Sequence, residues 1–118
     1  MPQASTHLKM TKADDVDVVE FVDRKILEEL CISQIGEELT GLVAAQPGIK
    51  LVLNFGNVDH LSSAALGMLI TLNKHVAQAN GCLKLSEISS QIYEVFKITR
   101  LNKVFKIYPT TAEALGSF

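Results

Sequence analysis

Residues 7–12, HLKMTK, alternate Leu8 and Met10 with His7, Lys9 and Thr11, the period of a half-buried strand. Asp14 and Asp15 suit a turn. The valine-rich VDVVEFV at 16–22 then predicts a second strand and a hairpin. The period lengthens after Arg24. Ile35, Leu39, Leu42 and Val43 fall at i, i+4, i+7 and i+8 on one helical face, with Glu37, Glu38 and Gln46 on the other. Pro47-Gly48 ends this helix. Its start lies between Arg24 and Ser33, because KIL at 25–27 also fits extended backbone. KLVLNF at 50–55, bounded by Gly48 and Gly56, is the short apolar run of a buried central strand.

GNVDHL at 56–61 reads as a loop, and Ser63 to about Asn80 as a helix ended by Gly81. CLKLS at 82–86 is the next strand. Strand, helix and strand within about 35 residues make a βαβ unit with parallel strands and a right-handed crossover. SSQIYEVFKIT at 89–99 predicts a third helix with Ile92, Val95 and Phe96 inward. A short strand follows around Phe105–Tyr108. TTAEALGSF closes as a helix, with Thr110 and Glu113 at capping-box spacing. The expectation is a single α/β domain over residues 1–118, a mixed four- to five-stranded sheet with about four helices packed on it.

The helix from Ser63 is unusual. After Asp59 no formally charged side chain occurs until Lys74, whereas a surface helix normally carries charge on its outer face. Leu66, Leu69, Ile70, Asn73 and Ala77 form one stripe, read as the core face. Ala64, Gly67, Met68, Thr71 and His75 take the other side. Either a neighbouring element of the same domain covers that side, or its first turns are a docking surface. For docking, small residues admit a partner's backbone and Met68 gives an adaptable contact. Gly67 costs on the order of 1 kcal/mol in a helix interior relative to Ala, which a close-approach role would explain. Ser62 and Ser63 stand at the helix start. One can cap the helix; the other is left as a hydroxyl where the helix end favours a phosphate dianion.

Composition narrows the function classes. Of 118 residues, 47% are hydrophobic and 20% charged, with a net charge of −2, ordinary for a globular chain. There is no basic patch or basic-aromatic interleaving for nucleic acid. The longest apolar run is about a dozen residues, against roughly 20 for a membrane span, and MPQASTHLKM lacks the pattern of a secretory signal. A cytoplasmic location is therefore expected. Cys31 and Cys82 can form one disulfide or stay as two reduced, mostly buried thiols; the second is expected. His7, His60 and His75 are scattered, no G-x-S-x-G elbow surrounds the serines, and no His, Cys or Asp cluster has metal-ligand spacing. No enzyme activity, metal or cofactor is expected.

NFGNVDHLSSAALGMLI at 54–70 resembles the signature of STAS domains, in particular the bacterial anti-sigma-factor antagonists. So does the chain as a whole, from the early hairpin to the ending VFKITRLNKVFKIYPTTAEAL. In that family a buried strand leads through a loop to Asp-Ser/Thr-x-x-Gly at a helix start, and a partner kinase that is itself the anti-sigma factor phosphorylates the hydroxyl. Ser63 falls on the acceptor position, Asp59 on an acid common in the preceding loop, and Gly67 on the motif's second glycine. Ser62 stands where the motif has aspartate, and Ala64-Ala65 where it often has Ser/Thr-Gly.

The resemblance implies a binding switch. Unmodified, the first turns of the helix and the loop Asn57–Leu61 would dock on an anti-sigma factor and serine kinase of the histidine-kinase-like ATPase class. The implied contacts are Asn57, Asp59, His60, Leu61, Ala64, Gly67, Met68 and Thr71. Phosphorylation of Ser63, with Ser62 as the alternative acceptor, would break the contact. A second implication is an unphosphorylated STAS scaffold in a transport or signalling assembly. STAS-like domains can also bind nucleotides, although Gly56 alone is far short of a phosphate-cradling loop.

Overall fold

The computed structural model describes residues 7–118. The expected hairpin forms from β1 (Leu8–Ala13) and β2 (Val16–Phe21), paired antiparallel. Asp14 takes the left-handed turn position at φ 57, which aspartate tolerates better than most residues. After β2 come β3 (Lys25–Ile26) and α1 (Glu29–Ala45), so KIL is extended and the helix starts at Glu29. Next are β4 (Lys50–Asn54), β5 (His60–Leu61), α2 (Ser63–Gln78) and β6 (Cys82–Ser86). The chain ends with α3 (Ser90–Ile98), a 3-10 turn at Leu101–Lys103, β7 (Lys106–Tyr108) and α4 (Thr111–Gly116).

The main sheet is mixed and five-stranded, in the order β1-β2-β4-β6-β7. Only β1 is antiparallel; β2-β4, β4-β6 and β6-β7 are parallel pairs, each bridged by one helix. Central β4 explains its sequence. Leu51 and Leu53 face the larger core with α1, α2 and α3, Val52 faces a smaller one with Ala114 of α4, and all three are fully buried. A strand covered on both faces needs an unbroken apolar run. The result is three layers: three crossover helices, the sheet, and α4. Among the described residues no helix is long and apolar enough to cross a membrane.

The 56–61 segment is not wholly a loop. His60 and Leu61 pair in parallel with Lys25 and Ile26, making a two-stranded second sheet. Met10 is 48% exposed on edge strand β1, against the inward position its alternation suggested. The core stripe of α2 is also rotated: Ala65, Leu66, Leu69, Leu72 and Val76 are buried, Asn73 is half-buried and Ala77 exposed. The bulkier apolar residues won the buried side, as burial energy scales with apolar area. Beyond the last helical residue Gln78 and the cap Ala79, the left-handed position is taken by Asn80 at φ 61 and not by Gly81, which serves close packing instead. A Cβ there would lie 2.6 Å from the Ile49 carbonyl oxygen and 3.1 Å from Val76 Cγ1.

Candidate functional site at the start of α2

Backbone hydrogen bonds pin the approach to α2. The amides of Asp59 and His60 both donate to the Arg24 carbonyl, at 2.7 and 3.2 Å, and the Ser62 amide donates to the Ile26 carbonyl at 3.2 Å. The Arg24 guanidinium also reaches Asp59 Oδ2, at 2.9 Å from Nε and 2.7 Å from Nη2. The Arg24 side chain is largely exposed and that of Asp59 partly so, so this pair is worth about 0–1 kcal/mol. It orients the loop more than it stabilises the fold.

The two serines have different surroundings. Ser62 is the N-cap, in extended backbone at φ −86 and ψ 168, and its Oγ accepts from the Ala65 amide at 3.2 Å. That satisfies one of the donors a helix start leaves unpaired. Ser63 is the first residue of the helix and is exposed. Its hydroxyl has no hydrogen-bond partner among the described residues. Ala64, Gly67 and Thr71 are exposed beyond it. A Cβ on Gly67 would meet no atom within 4 Å, so nothing inside the molecule requires glycine there.

The other predicted contacts are dispersed around this start. Asn57 is exposed and donates through Nδ2 to Glu20 Oε2 and to the Phe21 carbonyl, both at 3.2 Å. His60 is exposed, while Leu61 is half-buried against the core. Met68 is turned away from the exposed face. It is half-buried, and a Cβ on Gly36 of α1 would lie 3.1 Å from its Cγ. Met68 thus packs the α1–α2 junction, where it lines a cleft with Ser33, Gly36 and Thr40; a neighbouring element does cover that flank.

Two further grooves meet at the helix start. One runs between Asp59–Leu61 and Gln91, Ile92, Glu94 and Val95 of α3. The other runs from Leu61 and Ser63 along Gly67 and Ile70 to Val95, Thr99 and Leu101. Val95, expected inside, is 38% exposed and borders both, and Ile98 is 79% exposed. An apolar surface therefore continues from α2 onto α3. The signal was present in the sequence: IYEVFKI at 92–98 holds more apolar residues than one helical face buries.

The fold also gathers donors that sequence spacing did not associate. His7, Asp23 and Cys31 place one ligand-type atom each within 4.8 Å of one another. His7 bonds Gln34 and Asp23, in that order of effect, and both raise its imidazole pKa above the ordinary value. Burial, then the Asp23 carboxylate, pushes the Cys31 thiol up to about 11. A thiol so protonated is a poor nucleophile at neutral pH. Cys31 and Cys82 are both free and half-buried.

Residues 15–114 match the family model of the STAS domain, and the chain belongs to that family. It is 30% identical over 95 residues to BtrV of Bordetella bronchiseptica, a protein named for anti-sigma factor antagonism, covering 78% of this chain and 82% of that one. A TM1081 homologue of Thermotoga neapolitana, named in the same way, is 32% identical over 66 residues. That match covers 56% of this chain and only 58% of the Thermotoga protein's length. The fold is that of the anti-sigma-factor antagonists. An antagonist (STAS) domain protein from Planctomyces limnophilus superposes with TM-score 0.84 at 22% identity, over 97% of this chain and 98% of its own. The Bacillus cell fate determinant SpoIIAA in its phosphorylated form superposes with TM-score 0.69 at 15% identity, over 93% and 97%.

Proposed function

We propose that this protein is a partner-binding switch of the anti-sigma-factor antagonist kind, opened and closed by phosphorylation of Ser63. Its partner in this reading is an anti-sigma factor that is also a serine kinase of the histidine-kinase-like ATPase class. The names of its relatives support an anti-sigma factor as the partner. The observation that carries the reading is the division of labour between two adjacent hydroxyls. Ser62 spends its oxygen on the helix cap, whereas Ser63 stands free and exposed at the helix start, beside Ala64 and Gly67. Ser63 is accordingly the acceptor, ahead of Ser62.

The physical effect follows from where the charge lands. A phosphate at the first helical position adds nearly two negative charges where the helix dipole favours them, so the fold survives. The interface does not, because the dianion must be desolvated against a surface made for an uncharged helix start. A loss of about 2–5 kcal/mol weakens binding by roughly 30- to several-thousandfold. Asp59, oriented by Arg24, and exposed His60 flank the contact, and the grooves along α3 extend it through Val95.

The test incubates wild type, Ser63→Ala and Ser62→Ala with the candidate host kinases and ATP, then measures partner affinity before and after. Phosphate incorporation lost only in Ser63→Ala, with affinity falling on modification, supports the switch. Incorporation at neither serine rejects it. One feature favours a second reading, an unphosphorylated scaffold: Ser62 occupies the place of the motif aspartate. Partner capture that is equal for wild type and Ser63→Asp would favour that scaffold.

A further inference from the structure

We propose that His7, Asp23 and Cys31 form a binding site for one zinc-class divalent cation, held by the imidazole Nδ1, a carboxylate oxygen and the Cys31 sulfur. The site is separate from the start of α2. His7 precedes β1, Asp23 lies between β2 and β3, and Cys31 is in the first turn of α1. The Val22 amide donates to the His7 carbonyl at 2.8 Å, which holds the first two segments side by side.

The spacing of the donor atoms fits the ion. Bonds of about 2.0 Å to N and O and about 2.3 Å to S, at tetrahedral angles, put sulfur about 3.5 Å from the other two donors and N about 3.3 Å from O. Here Sγ lies 3.6 Å from Asp23 Oδ2 and 3.7 Å from His7 Nδ1. Nδ1 and Oδ2 are 2.6 Å apart, joined by a proton, so ion entry widens that one contact by roughly 0.7 Å. The outer contact a ligating histidine needs is also present. Nε2 lies 2.8 Å from Gln34 Oε1, and an Nε2–H donated there leaves Nδ1 to the metal. Gln34 sits one turn beyond Cys31 on α1.

Charge and access agree. Thiolate and carboxylate together balance a dication, and the neighbouring carboxylates Glu28 and Glu38 add negative potential at Cys31 and His7. A mixed N, O, S donor set suits zinc or cobalt over magnesium or calcium, which prefer oxygen alone. His7 and Asp23 side chains are 18% and 33% exposed, giving the ion an entry path. Binding displaces the Cys31 Sγ–H proton and the proton between His7 and Asp23, and both leave to solvent. Three protein ligands leave the fourth tetrahedral position for water.

The experiment uses the full chain, stripped with a chelator and titrated with Co(II), then Zn(II). One equivalent of Co(II) should produce a sulfur-to-cobalt charge-transfer band with d–d bands of tetrahedral intensity, and Zn(II) should bleach both. Cys31→Ser should remove the charge-transfer band while Cys82→Ser keeps it. Gln34→Ala, at an exposed position, should weaken affinity by roughly 10–100-fold, with circular dichroism unchanged. No saturable cobalt spectrum in wild type would overturn the proposal. So would a charge-transfer band that survives Cys31→Ser or disappears with Cys82→Ser.

Discussion

The two ends of α2 are built on opposite terms. At the carboxyl end, Gly81 is wedged so closely against Ile49 and Val76 that even a methyl group has no room. At the amino end, Gly67 faces open space and Ser63 has a spare hydroxyl. One end anchors the helix between β4 and β6; the other presents it. The same residue type thus serves packing in one place and vacancy in the other. The difference shows that a glycine's role is read from what a Cβ would touch.

The strongest way to break this contrast is to add charge at the presented end. Ser63→Asp should weaken partner binding by up to about 2–5 kcal/mol while the unfolding midpoint stays level or rises slightly, as acids suit a helix start. Calorimetric binding and urea titration on the same samples separate the two effects. At the anchored end, Gly81→Ala should cost about 1–3 kcal/mol of stability through overpacking, read as a lower urea midpoint. Ser62→Ala should cost about 1 kcal/mol by removing the cap, whereas Ser63→Ala should stay within about 0.5 kcal/mol. Equal losses for the two serines would erase the assigned division of labour. Gly67→Ala, of opposite sign, is expected to stabilise α2 by about 0.5–1 kcal/mol. If the position is a docking contact, partner affinity should fall in the same variant.

Much of this architecture was legible in the sequence. The alternation and turn of the hairpin, the apolar run of β4 and the helical period before Pro47 are local signals, and each produced its element. So did the capping-box spacing near the end of the chain: Thr110 caps α4 through the Glu113 amide. What escaped depends on partners distant in the chain. β3 and β5 are two residues each and exist because they meet one another. Met68 looked exposed because its own helix does not reveal that α1 lies beside it. Asn73 and Ala77 fit the spacing of a stripe, but Leu72 and Val76, larger and one position earlier, took the buried side. At the candidate site, Ser62, Ser63 and Gly67 could be picked out from residue type and order. The grooves leading to Val95 could not, because they arise where α2 and α3 come together.

The order of the main sheet carries a consequence for how the molecule is made. Its strands stand side by side in the order in which they are synthesised. Each parallel strand therefore finds its neighbour already emerged from the ribosome, and no gap must be held open for a later arrival. On that growing side only the newest strand waits for a mate, while the outer edge of β1 has no partner strand among the described residues.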